Sequence, residues 1–151
     1  MSEFYTYQTE ARWTGGRSGK IRAEGVEPEL SFSAPPEFPG EAGKWSPETF
    51  LAAAANSCFL TTFVSIADFS KLELEQVTVS AEAHLEKVPG EGLLFTEVVL
   101  RPVVTLVLEE DRAKAQKILD KVEKSCLVAR ALRSEVRVES TIEAPATPRA
   151  A

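Results

Sequence analysis

Two cysteines, Cys58 and Cys126, are the residues of this 151-residue chain best suited to covalent chemistry. They lie far apart in the sequence, which excludes a local Cys-x-x-Cys motif and leaves any pairing to the fold. Each falls on the apolar side of a predicted helix, where a free cysteine often serves as a small buried hydrophobe. The sequence pattern therefore leaves two roles open, buried packing and thiol chemistry.

A reactive cysteine must be a thiolate, because an unperturbed thiol with a pKa of about 8.5 is only a few per cent ionised at neutral pH. A helix dipole acts over the first turn only, and Cys58 lies roughly 15 Å beyond Glu48 at about 1.5 Å per helical residue. If Cys58 is reactive, we therefore expect a cation from elsewhere in the fold to activate it.

Composition and charge narrow the class of protein. The apolar fraction of 44% supports a hydrophobic core, and 17 basic against 23 acidic residues give a pI near 5.0. We predict no nucleic-acid partner, because this balance offers no basic surface for a phosphate backbone. The first residues lack the pattern of a signal peptide, so a cytoplasmic location is expected, where permanent disulfides are disfavoured.

The stretch from Thr49 to Ala67 carries no charged residue and approaches the length of a membrane span. Four alanines, Asn56, Ser57 and several threonines dilute its hydrophobicity, and no basic cluster flanks it. We predict a helix buried on most sides of a soluble protein, with no membrane partner. Its start is marked by Ser46, Pro47 and Glu48, which suit an N-cap and first turn, and it should end near Asp68.

The remaining elements follow from alternation, helical spacing and turn residues. Pro102, inside one predicted strand, is expected at a sheet edge or a bulge. Ser125 could break the second helix, so one helix or two remain possible. The predicted elements are a half-buried strand with alternate positions from Tyr5 to Trp13, a turn around Arg17, strands at 20–23 and 30–33, a loop at 34–44, a hairpin at 77–108, a helix at 111–132 and a strand at 135–142.

This order predicts an α+β fold with segregated helices. Residues 1–143 are expected to form a single domain, and residues 144–151 a disordered tail. One copy of the chain is too small to bury so apolar a central helix on all sides, so we predict a homodimer.

Three segments resemble the OsmC/Ohr family of thiol peroxidases, and the resemblance covers nearly the whole chain. The most specific is Ser-Pro-Glu-Thr-Phe-Leu-Ala-Ala-Ala-Ala-Asn-Ser-Cys-Phe, residues 46–59. Cys-Leu-Val-Ala-Arg-Ala-Leu from Cys126 is similar to the segment that holds the family's second cysteine. Thr-Gly-Gly-Arg-Ser-Gly, residues 14–19, is similar to the turn that carries the catalytic arginine in the Ohr branch.

The resemblance implies an OsmC-like fold, with antiparallel sheets around a long central buried helix in an intertwined homodimer. It implies that Cys58 is the peroxidatic thiol and Cys126 the resolving thiol. Arg17 would be the activating cation, and Glu48 the carboxylate that holds it. The implied reaction is the reduction of organic hydroperoxides to alcohols through a Cys58 sulfenic acid and a Cys58–Cys126 disulfide. A lipoyl protein or thioredoxin-like dithiol would recycle the enzyme, with no metal and no organic cofactor.

Helix geometry adds an expectation about the dimer. Glu48 and Cys58, about 15 Å apart on one rigid helix, cannot serve one site through direct contacts within a chain. We therefore expect Glu48 to act on Cys58 of the other subunit, with the active sites at the subunit interface.

Two alternative functions remain open from the sequence. One is a hot-dog-type acyl-thioester hydrolase, which would use a carboxylate and depend on neither cysteine. The other is a non-catalytic OsmC-like binding dimer in which both thiols are packed. His84, the only histidine, is expected to be an exposed polar residue, since one histidine and two distant cysteines do not make a metal site.

Overall fold

A computed structural model describes residues 3–147, which form two compact units that divide between Phe50 and Leu51. Each unit has its own β-sheet. The assignment of residues 1–143 to one domain stays a prediction. Of the predicted disordered tail, residues 144–147 contain no helix or strand, and residues 148–151 lie outside the described residues.

The N-terminal unit is built on an antiparallel sheet of three strands, β1 (Thr9–Gly15), β2 (Ser18–Ala23) and β3 (Leu30–Ser33). Arg17 lies in the tight turn between β1 and β2, as its glycine neighbours predicted. Gly15 and Gly16 have φ angles of 123° and 53°, which glycine adopts at little cost. The β1–β2 hairpin therefore carries the guanidinium group at its tip.

β1 differs from the half-buried strand that its alternating pattern predicted. All of its residues except Gly15 are exposed, and Trp13 is 76% exposed. Alternation indicates which residues share a face of a strand, but it does not indicate what covers that face. The single chain leaves Trp13 uncovered.

Helix α1 (Pro47–Phe69) begins and ends close to the predicted residues. The N–H of Thr49 donates to Ser46 Oγ at 3.2 Å, and the N–H of Ser46 donates to Thr49 Oγ1 at 2.8 Å. This reciprocal pair satisfies two main-chain donors that a helix N-terminus leaves without partners. The cap fixes the register of the helix that carries Glu48 and Cys58.

The C-terminal unit is built on a long antiparallel hairpin, β4 (Leu74–Val88) and β5 (Gly92–Leu106). Two short strands, β6 (Glu135–Val138) and β7 (Thr141–Glu143), pair in parallel with the other side of β5. The single strand predicted at 135–142 is thus two strands. Between them the N–H of Glu139 donates to the carbonyl oxygen of Leu100 at 2.9 Å.

Pro102 corrects a prediction about this sheet. It is buried on the central strand β5 and pairs in regular register with Val79, so the expected edge or bulge is wrong. Proline lacks the N–H that a ladder needs. β6 pairs with residues 97–100 and β7 with residues 103–105, so Pro102 falls between the two partners and interrupts neither ladder.

The predicted second helix is two helices, α2 (Arg112–Ser125) and α3 (Leu127–Ala131). Cys126 separates them in an extended conformation, with φ −60° and ψ 116°. The break lies next to Ser125, the residue at which the sequence was compatible with either one helix or two. It leaves the first N–H groups of α3 without partners inside that helix.

The core of the C-terminal unit lies between one face of the sheet and the helices. Phe59 and Phe63 of α1 pack with residues of β5 and α2. The opposite face of α1 is exposed, so the single chain buries this helix on one side only. By length and composition alone α1 could span a membrane, a property that the core helices of soluble proteins share. The exposed residues on that face include Ala54, Ser57, Thr61 and Ser65.

Candidate active site

The fold brings Cys58 and Cys126 together, although they are distant in sequence. Cys58 is half-buried on α1, and Cys126 is fully buried at the junction of α2 and α3. Both belong to the core cluster of the C-terminal unit, where each thiol influences the pKa of the other. Both cysteines are free, so the structure holds the reduced pair.

The break at Cys126 also positions main-chain donors around Cys58. The N–H of Cys126 still donates to the carbonyl oxygen of Val122 at 2.9 Å, which completes α2. The next two N–H groups, those of Leu127 and Val128, begin α3 and hydrogen-bond to the sulfur of Cys58. The sulfur therefore takes donors that the short helix cannot satisfy itself.

The pKa of Cys58 is lowered by hydrogen bonds from neutral groups. Burial alone raises the pKa of this thiol, because a low-dielectric surrounding disfavours the anion. Hydrogen bonds to the sulfur from the N–H of Val128, the thiol of Cys126, the N–H of Leu127 and the hydroxyl of Thr62 together outweigh burial. The chain thus supplies neutral donors to the thiolate, in addition to any cation that the sequence led us to expect.

The pKa of Cys126 is raised, in contrast to that of Cys58. Burial is the main cause, and the neighbouring Cys58 sulfur adds to it, while N–H groups of Ala129 and Val128 act in the opposite direction. A thiolate at Cys58 and a protonated thiol at Cys126 are therefore the favoured states of the pair. Cys58 is therefore the thiol of the pair better suited to act first as the nucleophile, because the thiolate is the reacting form.

Arg17 and Glu48 lie in the N-terminal unit. Arg17 is exposed, and its Nη1 donates to the carbonyl oxygen of Phe38 at 2.9 Å. Glu48 Oε2 is buried and has no hydrogen-bond partner among the described residues. The pairing of Arg17 with Glu48 and their action on Cys58 stay predictions.

Sequence reasoning missed three donors at this site. Thr62 follows Cys58 by four residues, and this helical spacing could have indicated that the two side chains share a face. Its Oγ1 donates to the carbonyl oxygen of Cys58 at 2.7 Å. The N–H groups of Leu127 and Val128 carry no side-chain signature, so only the possible break near Ser125 pointed to them.

His84 lies on the β4–β5 hairpin, half-exposed between two carboxylates. Its ring nitrogens approach Glu82 at 3.3 Å and Glu97 at 3.2 Å. Within residues 3–147, no group of three or more histidine, cysteine, aspartate or glutamate side chains is arranged to hold a metal ion. His84 is a half-exposed polar residue that contacts two glutamate side chains.

Comparison with known proteins identifies the family of the chain. The family model described as OsmC-like protein matches residues 40–141, which include α1, both cysteines and the whole hairpin. The chain belongs to the OsmC-like protein family. The family assignment and the α+β architecture that the sequence predicted are both confirmed.

Relatives of this OsmC-like protein include proteins with and without an ascribed role. The chain is 28% identical to YmaD, an uncharacterised protein of Bacillus subtilis. The aligned region covers 92% of this chain and 93% of YmaD. An OsmC-like protein of unknown function from Vibrio cholerae has a TM-score of 0.82 at 22% identity, over 91% of this chain and 99% of that one. A Legionella pneumophila structure, described as an organic hydroperoxide resistance protein, has a TM-score of 0.70 at 25% identity, over 94% and 99% of the two chains.

Proposed function

We propose that this OsmC-like protein is a cysteine-based peroxidase that reduces organic hydroperoxides to alcohols in the cytoplasm. The observation that carries the proposal is the adjacent pair of free thiols with opposite pKa shifts, lowered at Cys58 and raised at Cys126. The hydroperoxide resistance role ascribed to the Legionella pneumophila relative supports the choice of substrate.

The first step is attack by the Cys58 thiolate on the peroxide. A sulfur–oxygen bond forms as the oxygen–oxygen bond breaks, which leaves a sulfenic acid on Cys58 and releases an alkoxide that takes up a proton. The N–H groups of Leu127 and Val128 hold the thiolate before the attack. Arg17, held by Glu48, would stabilise the departing alkoxide.

The second step joins the two cysteines. The sulfur of Cys126 attacks the Cys58 sulfenic acid, so that a disulfide forms and water leaves. The two cysteines belong to the same core cluster and each affects the pKa of the other, which supports direct condensation between them. An external dithiol, a lipoyl protein or a thioredoxin-like protein, then reduces the disulfide by thiol exchange. All of these steps are sulfur and proton chemistry and need no metal or organic cofactor.

The proposed assembly is a homodimer with its active sites at the subunit interface. The exposed face of α1 supports it, because in the single chain this long, largely uncharged helix is covered on one side only. Glu48 Oε2, buried without a partner among the described residues, needs a donor such as Arg17.

Intact mass spectrometry with cumene hydroperoxide tests the proposed reaction. The reduced wild-type protein should lose two hydrogen atoms as the Cys58–Cys126 disulfide forms. The Cys126→Ser variant should instead gain one oxygen atom, since its sulfenic acid has no resolving thiol. Hydrogen peroxide, applied at the same concentration, should react more slowly than the organic peroxide.

A Cys58→Ser variant serves as the matched control, because it removes the proposed nucleophile and keeps Cys126. Its mass should not change under the same treatment. An unchanged mass of the wild-type protein would contradict the peroxidase and favour a non-catalytic OsmC-like binding dimer. The hot-dog-type thioester hydrolase gains no support from the family match.

A further inference from the structure

Thr62 lies one helical turn beyond the proposed nucleophile. In an α-helix, residues four apart share a face, and side chains lean toward the N-terminus and over the preceding turn. Thr62 and Cys58 are both half-buried, so both belong to the side of α1 that faces the C-terminal unit's own core. The Thr62 side chain therefore leans over Cys58.

The hydroxyl of Thr62 has two acceptors on Cys58. Its Oγ1 donates to the Cys58 carbonyl oxygen at 2.7 Å, and the hydroxyl also acts as a donor that lowers the pKa of the Cys58 thiol. A hydroxyl carries a single proton and rotates to the better acceptor. The carbonyl is available while the thiol is protonated, whereas the thiolate, a charged acceptor, attracts the proton more strongly.

We propose that Thr62 is a positioning residue, whose hydroxyl turns from the Cys58 carbonyl to the Cys58 sulfur when the thiol ionises and holds the thiolate in place. The device gives the anion one side-chain donor on its own helix, opposite the main-chain donors of α3. It rests on the proposed function only in that Cys58 is taken as the reacting thiol.

Thr61 provides a matched control within the same turn. Its Oγ1 donates to the carbonyl oxygens of Ser57 at 3.0 Å and Cys58 at 3.2 Å. Thr61 is exposed, however, and lies on the face of α1 that points away from Cys126. The two threonines thus share a residue type and a carbonyl partner but differ in access to the sulfur.

The test is the pH dependence of Cys58 alkylation by iodoacetamide, resolved from Cys126 by peptide mass spectrometry. Thr62→Val keeps the branched shape and removes the hydroxyl. Its alkylation rate at neutral pH should fall about threefold to tenfold, the loss expected when the thiolate form loses one net hydrogen bond. The midpoint should move to higher pH, and the limiting rate at high pH should stay unchanged.

Thr62→Ser should retain the wild-type profile, and Thr61→Val should match the wild-type protein. A purely structural role for Thr62 would lower the limiting rate as well. If Thr62→Val does not fold, comparison of Thr62→Ser with Thr62→Ala decides the question in the same way. Equal midpoints for variants with and without the hydroxyl would overturn the proposal. A shifted midpoint in a protein that leaves cumene hydroperoxide intact would support the role of Thr62 and reject the peroxidase.

Discussion

Cys58 and Cys126 differ in pKa because their sulfurs have different surroundings in the fold. N–H groups at the start of α3 act on both sulfurs, but at Cys58 the donors outweigh burial, whereas at Cys126 burial and the neighbouring Cys58 sulfur outweigh them. Because a thiolate is stabilised by donors and destabilised by burial, neighbouring thiols can titrate on opposite sides of the ordinary value. The reactive state of the pair is thus set by the balance between burial and hydrogen-bond donors at each sulfur.

Selective labelling should reveal this asymmetry. The pKa of Cys58 is lowered and that of Cys126 is raised. At pH values below or close to the ordinary thiol pKa, Cys58 alone should therefore be alkylated. Cys126 should react only as the pH rises further. Rates for each cysteine across the pH range, measured by peptide mass spectrometry, check this order. In guanidinium chloride, which unfolds the protein, both cysteines should titrate at about 8.5. Equal midpoints for the two cysteines in the folded protein would contradict the prediction.

At the level of elements, α1 is held on the hairpin by aromatic side chains on one face. Phe59 and Phe63 are fully buried against the sheet and α2, while Phe69 at the end of the helix is 88% exposed. The buried face positions Cys58, since the sulfur lies on the same side of the helix. Stability of the core and placement of the thiol are therefore linked.

Phe63→Ala should lower the free energy of unfolding by about 3–5 kcal/mol, because it opens a cavity in this core. Phe69→Ala makes the same chemical change on the same helix at an exposed position, and its effect should stay within about 0.5 kcal/mol. Urea unfolding at one fixed protein concentration measures both. Similar losses for the two variants would show that α1 is not anchored by its buried face.

Local signals predicted most elements, and non-local pairing accounts for what they missed. The Ser46–Pro47 start of α1 and the β4–β5 hairpin depend on neighbouring residues, and both were predicted correctly. The place of Pro102 depends on strands some 35–40 positions away along the chain, which no local pattern reveals. At the site, cysteine chemistry singled out Cys58 and Cys126, but main-chain donors have no residue type to recognise.

For the molecule as a whole, the uncovered surfaces are the informative feature. The outward face of α1, with small and uncharged side chains, and Trp13 on β1 are both exposed in the single chain. Uncharged surface of this kind favours association with another subunit. The proposed homodimer would cover at least the first of them.

A mixed dimer of Cys58→Ser and Glu48→Ala chains tests whether Glu48 serves the partner's thiol. One site would then combine the intact Cys58 of one chain with the intact Glu48 of the other, so about half of the wild-type peroxidase activity should remain. Differently tagged chains, co-expressed and purified in two steps, provide the sample. If the mixed dimer shows only half the activity of the Glu48→Ala homodimer, Glu48 acts within its own chain.

The split partner of β5 has a consequence for how the protein is made. β5 ends at Leu106, yet its second side is completed only by β6 and β7, the latter of which ends at Glu143. During synthesis, an apolar strand with an unsatisfied edge must wait until α2, α3 and both short strands have left the ribosome. Such an edge invites pairing with other nascent chains. A chaperone would therefore be most useful before residue 143 has emerged, while this edge of β5 is still open.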